Sequence, residues 1–113
     1  MDLNLSGQNV AVFGAAQGIG RAIAEQFEAE GCSVVGFDQS PDSPALKNTG
    51  EVTVGDVTSF EQVSAFADAH SETDHVVFSV GVGSGKFGFP FWNLDPSDWA
   101  RVLEVNLVGA ANV

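Results

Sequence analysis

Three glycines, Gly14, Gly18 and Gly20, stand in the spacing Gly-x-x-x-Gly-x-Gly between a short apolar run and a helical period. That pattern suits a backbone that must come close to a pyrophosphate. One glycine permits a tight turn. The others let the chain and the first N–H groups of the helix approach the anion, whose charge the helix dipole favours. An ordinary glycine-rich connection has the same composition, but here both flanks have the structure that the nucleotide reading requires. Asp38 follows the next apolar run, about eighteen residues beyond Gly20, and can accept hydrogen bonds from both hydroxyls of an adenosine ribose. The same carboxylate would repel a 2′-phosphate. Gln17 and Gln39, where a phosphate-binding Arg or Lys could stand, are neutral. NAD(H) is therefore expected over NADP(H), against the plainer reading of Asp38 as one more turn residue. Asn106 is the third candidate. An Asn inside an otherwise apolar helix is costly unless its amide has a partner, which could be its own helix.

The composition narrows the partners. The 113 residues carry 15 acidic and four basic side chains, a net charge of −11. Phosphate backbones and anionic membranes would be repelled. A hydrophobic fraction of 44% argues against disorder. One Cys excludes an intrachain disulfide framework and a zinc-ribbon spacing, which suits a reducing, cytoplasmic compartment, and no metal site is assigned. No window reaches the roughly 18 apolar residues of a spanning helix. The N-terminus lacks the basic region of a signal peptide. There is no Tyr, so no phenol is available as an acid or base.

The elements that must position these groups alternate. Asn9–Phe13 reads as a buried strand, and Ile19, Ala22, Ile23 and Phe27 as one face of the helix after the glycine turn. Gly31 ends that helix. Cys32–Phe37 is a second strand. Gln39–Gly50, rich in Pro, Ser and Asp, reads as a surface loop or marginal helical turn. Val52–Val54 is a third strand. Ser59-x-x-Gln62 has the form of a capping box for a helix carrying Phe60, Val63, Phe66 and Ala67. Val76–Val80 is a fourth strand, and Asp95-Pro96 opens a helix that runs to the end of the chain. Such alternation predicts an α/β fold, a doubly wound parallel sheet of Rossmann type with strand order 3-2-1-4.

With those motifs in place, the chain resembles the N-terminal half of a short-chain dehydrogenase/reductase. The family's Thr-Gly-x-x-x-Gly-x-Gly is matched by Phe13 to Gly20, with only the leading Thr replaced. The resemblance implies cofactor binding by Gly14, Gln17, Gly18, Ile19, Gly20 and Asp38. Gly55-Asp56-Val57 is similar to the family's Asp-Val step, whose carboxylate lies near the adenine ring and whose next backbone unit contacts it. Phe78-Ser79-Val80-Gly81 keeps only the glycine of Asn-Asn-Ala-Gly, so Gly81 is expected at the cofactor ribose. Asp98 to Gly109 resembles the helix with Val-Asn-Leu-x-Gly. That match implies a catalytic role for Asn106, the first member of an Asn-Ser-Tyr-Lys tetrad, in a helix that opens locally.

The resemblance implies an incomplete NAD-binding domain over residues 1–113, cut after the fourth strand and its following helix. It further implies an oxidoreductase moving hydride between nicotinamide and an alcohol or carbonyl substrate. The Ser and Tyr-x-x-x-Lys segment would lie elsewhere, so the chain alone is expected to be inactive. The fourth strand becomes an open sheet edge, and the last helix is apolar on more than one face. Self-association or homo-oligomerisation through them is expected. The main alternative is a non-catalytic NAD(H)-binding module or sensor. A flavodoxin-like or response-regulator domain is disfavoured by the glycine motif.

Overall fold

The computed structural model describes residues 3–40 and 51–113. Among them, β1 (Asn9–Phe13), β2 (Ser33–Asp38), β3 (Val52–Val54) and β4 (His75–Phe78) form one parallel sheet in the order β3-β2-β1-β4. Helix α1 (Gly18–Ala29) links β1 to β2, and α2 (Phe60–Ala69) links β3 to β4. A 3-10 turn (Phe91–Asn93), α3 (Pro96–Leu103), a π-helical turn (Glu104–Val108) and α4 (Gly109–Asn112) follow. The expected Rossmann-type architecture and strand order are therefore present. Most of the Pro- and Ser-rich stretch read as a loop lies outside the described residues.

Residues alternate sides along a strand, and β1 has apolar side chains on both. Val10 and Val12 join Ala24 and Val34 under α1, while Ala11 and Phe13 join Phe37, Val63 and Phe66 under α2. Phe13, Phe37 and Phe66 form an aromatic triangle with ring centroids 5.2–5.3 Å apart. In α1 the buried residues are Gly20, Ala24 and Glu28. Ile19, expected on the packed face, is 76% exposed. The first turn of α1 overhangs the end of the sheet, so this side chain meets an open cleft. The helix ends as expected at Gly31. The Gly31 N–H donates to Glu28 O at 3.0 Å and the Cys32 N–H to Phe27 O at 3.0 Å, the paired bonds of a Schellman motif.

The helix that starts at Pro96 is interrupted at Glu104–Val108, around Asn106, where the family resemblance implied a local opening. Leu103 leads into the π-turn, and the Gly109 N–H reaches back five residues to Glu104 O. Beyond β4 the sheet has no further strand among the described residues, and Val76 is exposed. Trp99, Leu103, Leu107 and Val108 are exposed, as are Phe87, Phe89, Phe91 and Trp92 in the preceding loop. The Cα radius of gyration, 15.6 Å, exceeds the roughly 13 Å expected of a compact domain this size. Among the described residues no layer covers the apolar surface beyond β4.

Candidate functional site

The carboxyl ends of β1, β2 and β4 come level because their registers pair Phe13 with Phe37 and with Phe78. Right-handed crossovers carry the chain to opposite sides of the sheet there, which opens a crevice. A cleft of about 370 Å³ occupies that position. Gly14, Gln17, Gly18, Ile19, Gly20, Asp38, Asp56, Val57 and Gly81 all line it. Nine of the sequence-derived positions thus converge, from four separate loops.

The glycine turn is fitted to its neighbours. The Gly14 N–H donates to Phe37 O at 2.8 Å, and Gly14 has φ of +87°. A Cβ at Gly14 would stand 2.7 Å from Ser79 O. Gly20 is packed against the turn itself: a Cβ there would meet the Gly14 carbonyl and lie 3.2 Å from Ser79 Cβ. Gly18, with φ of +56°, is different, since a Cβ on it would meet nothing within 4 Å. Two glycines close the turn against the protein, and the third leaves space at the helix end. The Gln17 side chain does not cap α1. The first N–H groups of a helix lack intrahelical acceptors, so this end offers donors and a partial positive charge to an anion.

Asp38 stands at the end of β2. Its Oδ2 accepts the Ala16 N–H at 3.0 Å and its Oδ1 the Ser40 N–H at 3.0 Å. A carboxylate has about four acceptor sites, so each oxygen keeps capacity for a hydroxyl donor. Among the described residues lining the cleft there is no Lys or Arg.

Asp56 follows the neighbouring strand β3, where the Gly55 N–H donates to Asp38 O at 2.8 Å, and lines the same cleft. Hydrogen bonds from the Thr58 N–H at 2.9 Å and then the Thr58 hydroxyl at 2.8 Å hold its carboxyl below the usual 3.8. Arg101 adds a smaller attraction in the same direction, and partial burial opposes them.

Asn106 does not line the cleft. Its Oδ1 accepts the Val82 N–H at 2.8 Å and its Nδ2 donates to Val82 O at 3.0 Å. Both faces of the amide are spent on one residue of the β4–α3 connection, next to Gly81. This answers the cost of an Asn in an apolar helix with a partner that is not its own helix. The residue lies within the π-turn, whose longer hydrogen-bond spacing is frequent at functional sites. Further along the loop, Lys86 donates to Asp98 at 2.6 Å and lies 3.5 Å from Asp95. The Asp98 carboxylate raises the Lys86 pKa, and Lys86 lowers that of Asp98. The pair ties the aromatic segment to the start of α3.

The sequence reading missed Phe37, Ser79, Val80, Val82 and Val105 as lining residues, and placed Gln39 and Gly55 only as neighbours of Asp38 and Asp56. Proximity in the chain points to several of them, because Ser79, Val80 and Val82 adjoin Gly81 just beyond the end of β4. Val105 had no such signal, since only the π-turn brings it beneath the cleft.

The family model described as enoyl-(acyl carrier protein) reductase matches residues 14–113. The chain belongs to the short-chain dehydrogenase/reductase family. It is 32% identical to galactitol 2-dehydrogenase of Rhizobium johnstonii, over 93% of this chain and 44% of that protein. It is 34% identical to 2,3-dihydro-2,3-dihydroxybenzoate dehydrogenase of Escherichia coli, over 98% of this chain and 44% of that one. The solved 3-ketoacyl-(acyl-carrier-protein) reductase of Brucella melitensis, complexed with NADH, superposes with a TM-score of 0.85 at 22% identity. That match covers 96% of this chain and 48% of the other, and shows the shared fold. The chain therefore spans under half the length of these relatives. Dehydrogenases and reductases recur among the relatives.

Proposed function

We propose that the chain is the nucleotide-binding half of an NAD(H)-dependent oxidoreductase acting on an alcohol or carbonyl substrate. The observation that carries the reading is Asp38: an acidic side chain with acceptor capacity on the cleft wall, with no Lys or Arg among the described residues that line the cleft. The cleft suits the group, because Gly18 leaves open the space at the α1 N-terminus where a pyrophosphate would lie. In this reading the α1 N–H groups hold the pyrophosphate and Asp38 holds the adenosine ribose. Asp56 and the Val57 backbone meet the adenine edge, and Gly81 admits the second ribose. The bound cofactor supplies the hydride donor or acceptor. Asn106 fixes the Gly81–Val82 segment, and its π-turn frees backbone groups for a proton path. The acid–base and carbonyl-positioning groups are assigned to a further segment, so the 113 residues alone turn over no substrate.

The exposed β4 edge and the apolar face of α3 and the π-turn support association with that segment or with a second copy. The single Cys32, buried and free, suits a cytoplasmic setting. Calorimetry with NAD⁺ and NADP⁺ tests the proposal. Hydrogen bonds to a charged group predict an NAD⁺ preference of about tenfold or more. Asp38→Ala is expected to remove most of it. Equal affinity of the native chain for the two dinucleotides would overturn the assignment.

A further inference from the structure

Gln62 is the third residue of α2, where a capping box would return its amide to the Ser59 N–H. Only half of that box forms. Ser59 Oγ accepts the Gln62 N–H at 3.4 Å, but Gln62 Oε1 accepts the Asp56 N–H at 2.8 Å. The Ser59 N–H turns to Asp56 O at 3.0 Å. Asp56 is thereby held at its N–H, at its carbonyl and, through Thr58, at Oδ1. Among the described residues Oδ2 accepts no hydrogen bond, and Asp56 lines the cleft. The small Gly55 gives the Gln62 amide access to this turn, since a Cβ there would stand 3.1 Å from Gln62 Oε1.

We propose that Gln62 is a positioning residue for purine selection: its amide fixes the Asp56 backbone so that Oδ2 is presented to the exocyclic amine of adenine. The inference rests on the nucleotide reading above. With the backbone and Oδ1 already pinned, the carboxylate is oriented before the ligand arrives and little ordering cost remains at binding. Hypoxanthine in the same place presents a carbonyl oxygen, so two acceptors would face each other across a fixed gap. A loosely held carboxylate could swing away from that oxygen, and the discrimination would fade.

The test is calorimetry of the 113-residue chain with NAD⁺, its deamino analogue carrying hypoxanthine, and NADP⁺. The native chain is expected to favour NAD⁺ over the deamino form by about tenfold or more. Gln62→Leu, at an exposed position, is expected to bring that ratio to within about twofold of unity. The NAD⁺ to NADP⁺ ratio, set at Asp38, stays unchanged. Gln62→Glu keeps an acceptor at the same reach and restores the purine preference. An unchanged purine ratio in Gln62→Leu overturns the proposal, as does an equal loss of affinity for all three ligands. A native chain that binds NAD⁺ and its deamino form equally overturns it too. Absence of NAD⁺ binding to the native chain overturns the nucleotide reading itself, and this inference with it.

Discussion

Gly20→Ala sets two effects of opposite sign against each other. Gly20 lies in the first turn of a twelve-residue helix. By intrinsic propensity alone, Ala in a helix interior is favoured over Gly by about 1 kcal/mol. Against this, the new Cβ would stand 2.8 Å from the Gly14 carbonyl carbon and 3.2 Å from Ser79 Cβ. The obstructing atoms are backbone and a strand-end Cβ, so no side-chain rotation relieves the contact. The glycine turn or the helix must move as a unit, which places the cost near the upper end of the overpacking range, about 3 kcal/mol. The net expectation is a loss of about 2 kcal/mol, opposite to propensity. Urea unfolding followed by circular dichroism measures it. Gly18→Ala is the companion variant: no atom obstructs it, so only the left-handed backbone contributes, about 1 kcal/mol. A Gly20→Ala chain as stable as the native one, or more so, would refute the packing of the turn against α1.

The remaining expectations concern acid titration and association. Asp56 has its pKa below the ordinary 3.8, so its ionised form stabilises the fold above that value, and the contribution is lost as pH falls through the lowered one. Thr58→Val removes the hydroxyl donor but keeps the stronger backbone bond. Carboxyl NMR should show the Asp56 pKa rising towards 3.8 without reaching it, and an unmoved titration would refute the assigned cause. Sedimentation of the native chain at low micromolar concentration is expected to show self-association through the β4 edge and the α3 face. Val76→Lys should weaken it by placing a charge on the edge, and a compact native monomer would refute the expectation.

Some of these features were legible in the residues and others were not, for identifiable reasons. Strands and glycine turns announce themselves locally: parallel strands buried on both faces read as apolar runs, and the turn glycines sit between runs of known period. Strand order follows from crossover handedness, a rule indifferent to side chains. Pattern reading failed where the partner lies far along the chain. The Asn106 amide could be recognised as needing a partner, but Val82, 24 residues earlier, has no sequence mark as that partner. Gln62 matched a local capping motif and was drawn instead to the Asp56 backbone, because the turn before α2 offered a donor that the Ser59 N–H had ceased to offer. Ile19 fits a 3.6-residue period, yet the period cannot say where the sheet ends beneath the helix. The π-turn breaks that period altogether and brings Val105, alone of its segment, to the cleft. In each case the departure from local rule falls on the cleft wall or on a residue that holds it. Local preferences are met wherever the sheet and helices merely pack, and are overridden where backbone has to face the cleft.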